Sequence, residues 1–269
     1  AGVQLKFSAV MEAAGGLTVP AQGIGGSWII KLPSMKFNGV PENEFAMMEL
    51  ARSIGIDVPE VRLVPLSGIS GIPGDMAYLQ GGVLAVKRFD RAEDGDAVHT
   101  EDFAQVFGVY PEMKYERASY RNIAEVLWAE TGEAGIAEFI RRLVFNVLIG
   151  NADMHLKNWS LIYPDRRNAR LAPGYDFVST IAYIPDYKMA LRLGRSKEMR
   201  ELSLDQLSYL AAKARLPEKL VLDAGTETVE RFMAIWNEGA FRTDLDPKVV
   251  GSINELVDNI PLVREVGRL

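Results

Sequence analysis

Hydrophobic and polar positions follow one rhythm in the first third of this chain and another in the remainder. Up to about residue 90 the apolar residues come in short runs broken by glycine and proline, which is the spacing of strands. Residues 5–10 and 16–19 read as the two strands of a hairpin. Residues 27–32 (Ser-Trp-Ile-Ile-Lys-Leu) read as a stronger strand that Pro33 ends. Pro41 sits where a helix would start, with Glu42, Asn43 and Glu44 suited to its first turn. Phe45, Met48, Leu50 and Ala51 continue with helical spacing until Gly55 stops it. Residues 58–65, 75–80 and 83–89 complete a mostly antiparallel sheet.

From about residue 100 the period lengthens. Residues 123–129, 133–149, 204–214, 218–238 and 247–259 read as helices. In the second of these, Ile136, Ile140, Leu143, Val144, Val147 and Leu148 fall at i, i+4, i+7, i+8, i+11 and i+12, a stripe that marks a helix laid into a core. Gly150 ends it, so the loop that follows projects from a rigid base. Residues 159–163 and 170–172 form a short hairpin around Pro164-Asp165-Arg166-Arg167-Asn168, which returns Asp176 to the side of that loop. The expected fold is α+β and two-lobed, with a strand-rich lobe over residues 1–91, a helical lobe over residues 92–269 and a cleft between them.

The bulk composition narrows the chemistry. At 269 residues, 48% hydrophobic and 25% charged, the chain can bury a large core and reads as an ordinary globular protein. Its net charge of −6 argues against broad contact with nucleic acid. Cysteine is absent, so thiolate chemistry and Cys-based zinc sites are excluded, and with only His99 and His155 any metal must be held by oxygen. No apolar run approaches the roughly 20 residues needed to span a bilayer. The opening Ala1-Gly2-Val3-Gln4 has no initiator Met and no charged-then-apolar leader, so it reads as the middle of something, in a cytoplasmic protein.

The loop Asn151-Ala152-Asp153-Met154-His155-Leu156-Lys157-Asn158 and the later Tyr175-Asp176-Phe177 carry the most specific signal. A carboxylate to orient an attacking hydroxyl, with an amide oxygen and a second carboxylate to hold magnesium on nucleotide phosphates, is the donor set of phosphoryl transfer. Asp153 is the candidate base, Asn158 and Asp176 the candidate metal ligands. The Asp-x4-Asn spacing matches the catalytic loop of protein kinases, and Asp-Phe the start of their metal-binding triplet. Two departures stand out: Asn-Ala replaces His-Arg before Asp153, and Val178 replaces the glycine. A capped loop in which Asp153 and Asn158 satisfy backbone donors is the competing interpretation. Lys31, flanked by Ile30 and Leu32, needs a charge if buried. In a kinase it would meet nucleotide phosphates and Glu44, with Glu42 and Glu49 as rivals; otherwise it is an edge-strand lysine that points to water. Residues 22–27 are glycine-rich and read as a strand connection. Ala1, Gly2, Val3, Gln4, Leu5 and Lys6 could cover phosphates, and Lys87, Arg88 and Phe89 could form a hinge for adenine or a charged strand end. His155 and Lys157 could steady phosphate charge.

In combination these segments resemble the HipA-like serine/threonine kinases, toxins of bacterial toxin–antitoxin pairs. The resemblance runs from Ala1-Gly2-Val3-Gln4-Leu5-Lys6-Phe7-Ser8 through residues 29–33, Asn43-Glu44, Gly55-Ile56-Asp57-Val58-Pro59 and residues 86–91. It continues in Glu101-Asp102-Phe103, Lys114-Tyr115-Glu116, the 151–158 loop and residues 171–176. It implies a bilobal kinase fold that uses ATP and Mg2+. It further implies a phosphate-covering loop at residues 1–6, phosphate contact by Lys31 and a hinge at residues 87–89. Asp153 would be the base, residues 155–158 and Tyr175 would line the nucleotide, and Asp176 would hold metal. The implied substrate is a translation component such as an aminoacyl-tRNA synthetase. The implied partner is a small helix-turn-helix antitoxin, with DNA reached only through it. Long members carry an amino-terminal subdomain and a self-phosphorylating serine ahead of this position, and this chain begins after both. Two other functions fit the same residues: an idle subunit acting with an antitoxin on operator DNA, and a small-molecule phosphotransferase.

Overall fold

A computed structural model describes residues 5–12, 16–20, 25–72, 79, 81–92, 94–115, 117–243 and 245–268. Ala1 to Gln4, residues 22–24 of the glycine-rich segment, the 75–80 strand apart from Leu79, and Glu116 lie outside them.

The first part is a six-stranded sheet in the order β4-β6-β3-β1-β2-β5. Its strands are β1 (Lys6–Met11), β2 (Leu17–Thr18), β3 (Trp28–Lys31), β4 (Val61–Pro65), β5 (Ile69–Ser70) and β6 (Gly82–Lys87). Neighbours run antiparallel except β2 and β5. The expected hairpin and central strand are present; β5, two residues long, was not expected. The period of two decides what each face touches. Val83 and Ala85 of β6 join Trp28, Ile30 and Leu32 in a small core on one face. Leu84 and Val86 point the other way, into a larger core with Met47, Met48, Leu50 and Ala51 of α1 (Val40–Ser53). Gly39, at φ 71°, and Pro41 in the first turn set the start of α1.

The rest is mostly helical. The two helices expected over 123–129 and 133–149 are joined as α3 (Tyr120–Leu148), kinked at Gly132, where φ is 63° and ψ −150°. Ser119 opens it with a capping box to Asn122. Its whole expected stripe is buried, and α3 lies along α5 (Glu218–Glu238), with α4 (Leu204–Ala214) and α6 (Pro247–Val257) packed alongside. Two short helices were not foreseen, α2 (Phe103–Val106) and α7 (Pro261–Val266), because too few turns are present to show a period. A second sheet, β7-β8-β9, joins β7 (His99–Asp102) to the expected hairpin of β8 (Ser160–Tyr163) and β9 (Arg170–Leu171). Strand β7 reads His-Thr-Glu-Asp and carries no apolar alternation, so only its pairing with β8 makes it a strand. No described helix is long and apolar enough to cross a membrane.

Two contacts fix the site loop to this frame. Asn43 of α1 is buried and reaches the segment after Asp176: its amide donates to the Ser179 carbonyl at 3.0 Å and accepts from the Ser179 N–H at 3.1 Å. At the end of α3, Gly150 turns the chain at φ 68°, and its carbonyl accepts from the N–H groups of Thr180 (3.1 Å) and Ile181 (3.3 Å). A Cβ there would come within 2.3 Å of Ile181 Cδ1. Gly150→Ala should therefore cost about 1–2 kcal/mol from the left-handed backbone and about 1–3 kcal/mol from overpacking. Urea denaturation will show the midpoint falling accordingly, and an unchanged midpoint would contradict the role given to this turn.

Candidate active site

The register of β1 against β3 places Lys6 directly opposite Lys31, and that of β6 places Leu84 opposite Lys31. Opposed residues share a face, so both lysines lie on the side covered by α1. Two ammonium groups side by side repel and call for anions. Lys31 has two: Glu44 Oε1 from α1 at 2.5 Å and the carboxylate of Asp176 from the helical lobe, to which it also donates. The rivals to Glu44 are engaged elsewhere, Glu42 with the Gly82 N–H at 2.7 Å and Glu49 with Arg52 at 3.3 Å.

Burial and charge act in opposition here. Burial alone would lower the Lys31 pKa, yet Asp176 and Glu44 outweigh it and hold the ammonium above its usual range. Burial would raise that of Asp176, but Lys31 prevails and keeps the carboxylate ionised, below the usual range. For Glu44 burial wins over Lys31, with the Asp176 charge adding to it, and its pKa is pushed up to about 7. Asp176 also sits at φ 57°, a left-handed backbone uncommon outside glycine. It is held there by Asn151, whose amide donates to the Asp176 carbonyl at 3.1 Å, and by Phe177, buried edge-on against Phe145 of α3 at 5.2 Å between ring centroids.

Asn151 also fixes Asp153: its amide oxygen accepts from the Asp153 N–H at 3.0 Å while its nitrogen donates to Asn146 Oδ1 at 2.8 Å. Asn158 donates its amide N–H to the Asp153 carbonyl at 3.0 Å. That bond turns Oδ1 of Asn158 away with no partner among the described residues, an oxygen free for a cation. The competing picture, with the Asp153 and Asn158 side chains capping backbone donors, is not what the loop does; Asn151 takes that part. The Asp153 carboxylate instead accepts from the Tyr115 hydroxyl at 2.5 Å. His155 is buried beside it, and Lys114 Nζ donates to its Nε2 at 2.6 Å. Burial, with the Lys114 charge, lowers the His155 pKa against the pull of Asp153, so the ring is neutral.

Lys6, Lys31, Glu44, Asp153, Asn158 and Asp176 line one cavity of about 530 Å³. The other expected residues are placed elsewhere. Leu5 is 40% exposed and pairs through its carbonyl with the Leu32 N–H. Arg88 is bound by Asp90 through two bonds of 2.9 and 2.6 Å, and Lys87 is exposed at the end of β6. The Phe89 ring lies tilted against that of Tyr175, their centroids 5.6 Å apart, Tyr175 donates to the Lys157 carbonyl at 2.9 Å, and the Lys157 ammonium pairs with Asp102 at 3.2 Å. These form a second cluster, next in chain to Asn158 and Asp176, and do not line the cavity. The sequence reading assigned no role to Tyr115, Lys114 or Asn151, although Lys114-Tyr115 stood among the segments of resemblance. It also missed the apolar wall built from Phe37 and Tyr183, whose rings lie 5.3 Å apart.

Among the described residues no three His, Asp or Glu side chains cluster as a self-sufficient metal site. One carboxylate and one amide oxygen, Asp176 and Asn158, fit magnesium that takes its other ligands from phosphates and water. The facing lysines fit the phosphates.

Residues 1–236 match the family model of the HipA-like C-terminal domain. "Putative kinase Y4dM" of Sinorhizobium fredii is 56% identical over all of this chain, and "Putative kinase Y4mE" of the same organism 35% identical over 87% of it. The serine/threonine-protein kinase toxin HipA of Shewanella oneidensis is 26% identical over 73%. The chain spans 66%, 56% and 47% of these curated relatives' lengths. Among solved structures, Shewanella oneidensis HipA, from a complex with HipB and operator DNA, matches with a TM-score of 0.78 at 22% identity, covering all of this chain and 66% of its own. The Helicobacter pylori kinase CtkA matches with 0.59 at 15% identity, covering 97% of this chain and 94% of its own. The fold is thus the bilobal, kinase-like α+β fold of HipA, and the chain belongs to the HipA-like C-terminal domain family.

Proposed function

We propose that this cavity binds ATP with magnesium and transfers the terminal phosphoryl group to a serine or threonine hydroxyl of a protein. The observation that carries the reading is the meeting of Lys31, Glu44 and Asp176 in one ion cluster that shares its cavity with Asp153 and Asn158. Bound magnesium would neutralise charge on the phosphates; Asp176 and Asn158 would hold it. The rest of the work falls to the chain. Lys31, fixed by Glu44, and Lys6 opposite it orient the phosphates. Asp153, fixed through Asn151, takes the proton of the attacking hydroxyl. Because little covalent chemistry is asked of the protein, such positioning and charge account for most of the rate.

The division into lobes would fall at residues 91/92, with the nucleotide base reaching the Phe89–Tyr175 pair. The kinase names of the relatives, and the HipB and DNA bound by Shewanella HipA, support a toxin that is restrained by a small helix-turn-helix antitoxin in the cytoplasm. Its substrate would be a translation component such as an aminoacyl-tRNA synthetase. DNA would then be reached through the antitoxin, in keeping with the net charge of −6.

Three measurements test this. With labelled ATP, magnesium and a cell extract, the wild-type protein should label protein, and Asp153→Ala should lower the rate by roughly 10²–10⁴-fold; labelling that persists in the variant removes Asp153 from the role of base. Asp176→Asn should abolish the magnesium dependence of nucleotide binding in calorimetry, and retained dependence would place the ion elsewhere. Glu44 has its native pKa raised from 4.5 to about 7. Between those values the folded protein keeps a proton that the unfolded chain has released, so the Glu44 contribution to stability declines as pH rises through that window. Unfolding free energies of wild type and Glu44→Gln, followed from pH 5 to 8, should diverge with that sign; parallel curves would show that Glu44 does not titrate there.

A further inference from the structure

One oxygen of the Asp153 carboxylate is already occupied. Tyr115 Oη donates to Asp153 Oδ1 at 2.5 Å, from the position an acceptor hydroxyl must take to give up its proton. The phenol itself is inert: burial, with the neighbouring Asp153 charge, raises its pKa, so it remains neutral. Its place is built rather than incidental. The Tyr115 ring stands edge-on to the buried His155 ring at 5.2 Å, and the Lys114 ammonium lies 5.0 Å from the Tyr115 ring centroid. The Tyr115 carbonyl accepts from Lys197 Nζ at 3.3 Å, and Lys197 also donates to the Ala190 carbonyl at 2.8 Å. Both Tyr115 and Asp153 line the cavity that holds Lys31 and Asp176.

We infer that Tyr115 is a positioning residue that holds the acceptor site shut against water, so that only a hydroxyl presented by a docked acceptor displaces it from Asp153. The inference rests on the phosphoryl-transfer reading of the cavity. Water is the competing acceptor in any such site. If it reached Asp153, its oxygen would bond to the terminal phosphorus and its proton would pass to the carboxylate. The bond from that phosphorus to the nucleoside diphosphate would break, and the ATP would be wasted. A phenol already hydrogen-bonded to Oδ1 weakens the carboxylate as a base and fills the place from which water would reach that oxygen. A docked acceptor brings further contacts and can exchange one hydroxyl for another at little cost. The apolar wall of Phe37 and Tyr183 on the same cavity offers such contacts.

Tyr115→Phe keeps the ring and its contact with His155 and removes only the hydroxyl. Two readouts decide. With magnesium-ATP and no acceptor, phosphate release should rise roughly tenfold or more, the worth of a hydrogen bond to a charged group, with an unchanged KM for ATP. Without any nucleotide, carbodiimide coupling of glycinamide to Asp153, mapped by mass spectrometry, should be several times faster than in wild type. A residue that merely supports the fold would lower phosphate release instead. If Tyr115→Phe does not fold, Lys197→Met, which frees the Tyr115 carbonyl, should show the same two increases. Equal Asp153 labelling in wild type and variant overturns the inference, as does faster labelling without faster phosphate release in a protein that phosphorylates its acceptors. Faster labelling in a protein that turns over no ATP under any condition overturns the phosphoryl-transfer reading and the acceptor role of this position with it.

Discussion

The Lys31 ammonium ties together three pieces of chain: the end of β3, the first turns of α1 through Glu44, and the segment after β9 through Asp176. A buried ammonium is tolerated only with compensating charge, and two carboxylates around one cation leave the cluster one negative charge in excess. The excess appears on Glu44, the more deeply buried of the two, whose proton affinity rises. The Asp176 side chain is 35% exposed, toward the cavity, and stays ionised. Of the two, the more exposed carboxylate is thus the one kept charged.

Much of the remaining structure holds these groups in place. Asn43, Asn146 and Asn151 are buried amides, and each uses both its donor and its acceptor, or its donors twice, to tie α1, α3 and the two site segments together. Side-chain amides suit this because they pair with backbone N–H and C=O groups without introducing charge. Below them the stripe on α3 and the Phe145–Phe177 contact give a rigid floor, so the strained backbone at Asp176 is held by packing rather than by its own preference. The large core runs from α1 and one face of β6 through α3 to α6, so the two lobes share apolar contacts around α1. Displacement of α1 would change the Lys31–Glu44 pair directly.

Where the polar side chains have only each other to answer to, short-range pattern was enough to place them. The helices at 204–214 and 218–238, the strand around Lys31 and the turn at Gly150 all follow from local spacing and from glycine. So did the candidacy of Asp153, Asn158 and Asp176, because the chemistry requires those residue types close together in two short segments. The pairing of Lys31 with Glu44 was legible too, since a strand lysine between Ile30 and Leu32 must find a charge on the next element.

Other features had no local trace. Strand β7 is polar and forms only because β8 offers it an edge. Nothing in the sequence around Lys6 says that it faces Lys31, because register is set by the pairing of β1 with β3 and a shift of one residue would turn its side chain to the other face. Tyr115 lies 38 positions from Asp153, and its hydroxyl reaches that carboxylate only because the segment before α3 folds back over the loop. Conversely, Arg88 and Lys157 carry charges that composition would offer to a nucleotide, yet neighbouring Asp90 and Asp102 already hold them. Backbone preference and apolar period act over a few residues and are written in the chain itself. Which charge meets which is a matter of distance in space, and that is fixed only when sheets, helices and loops have packed.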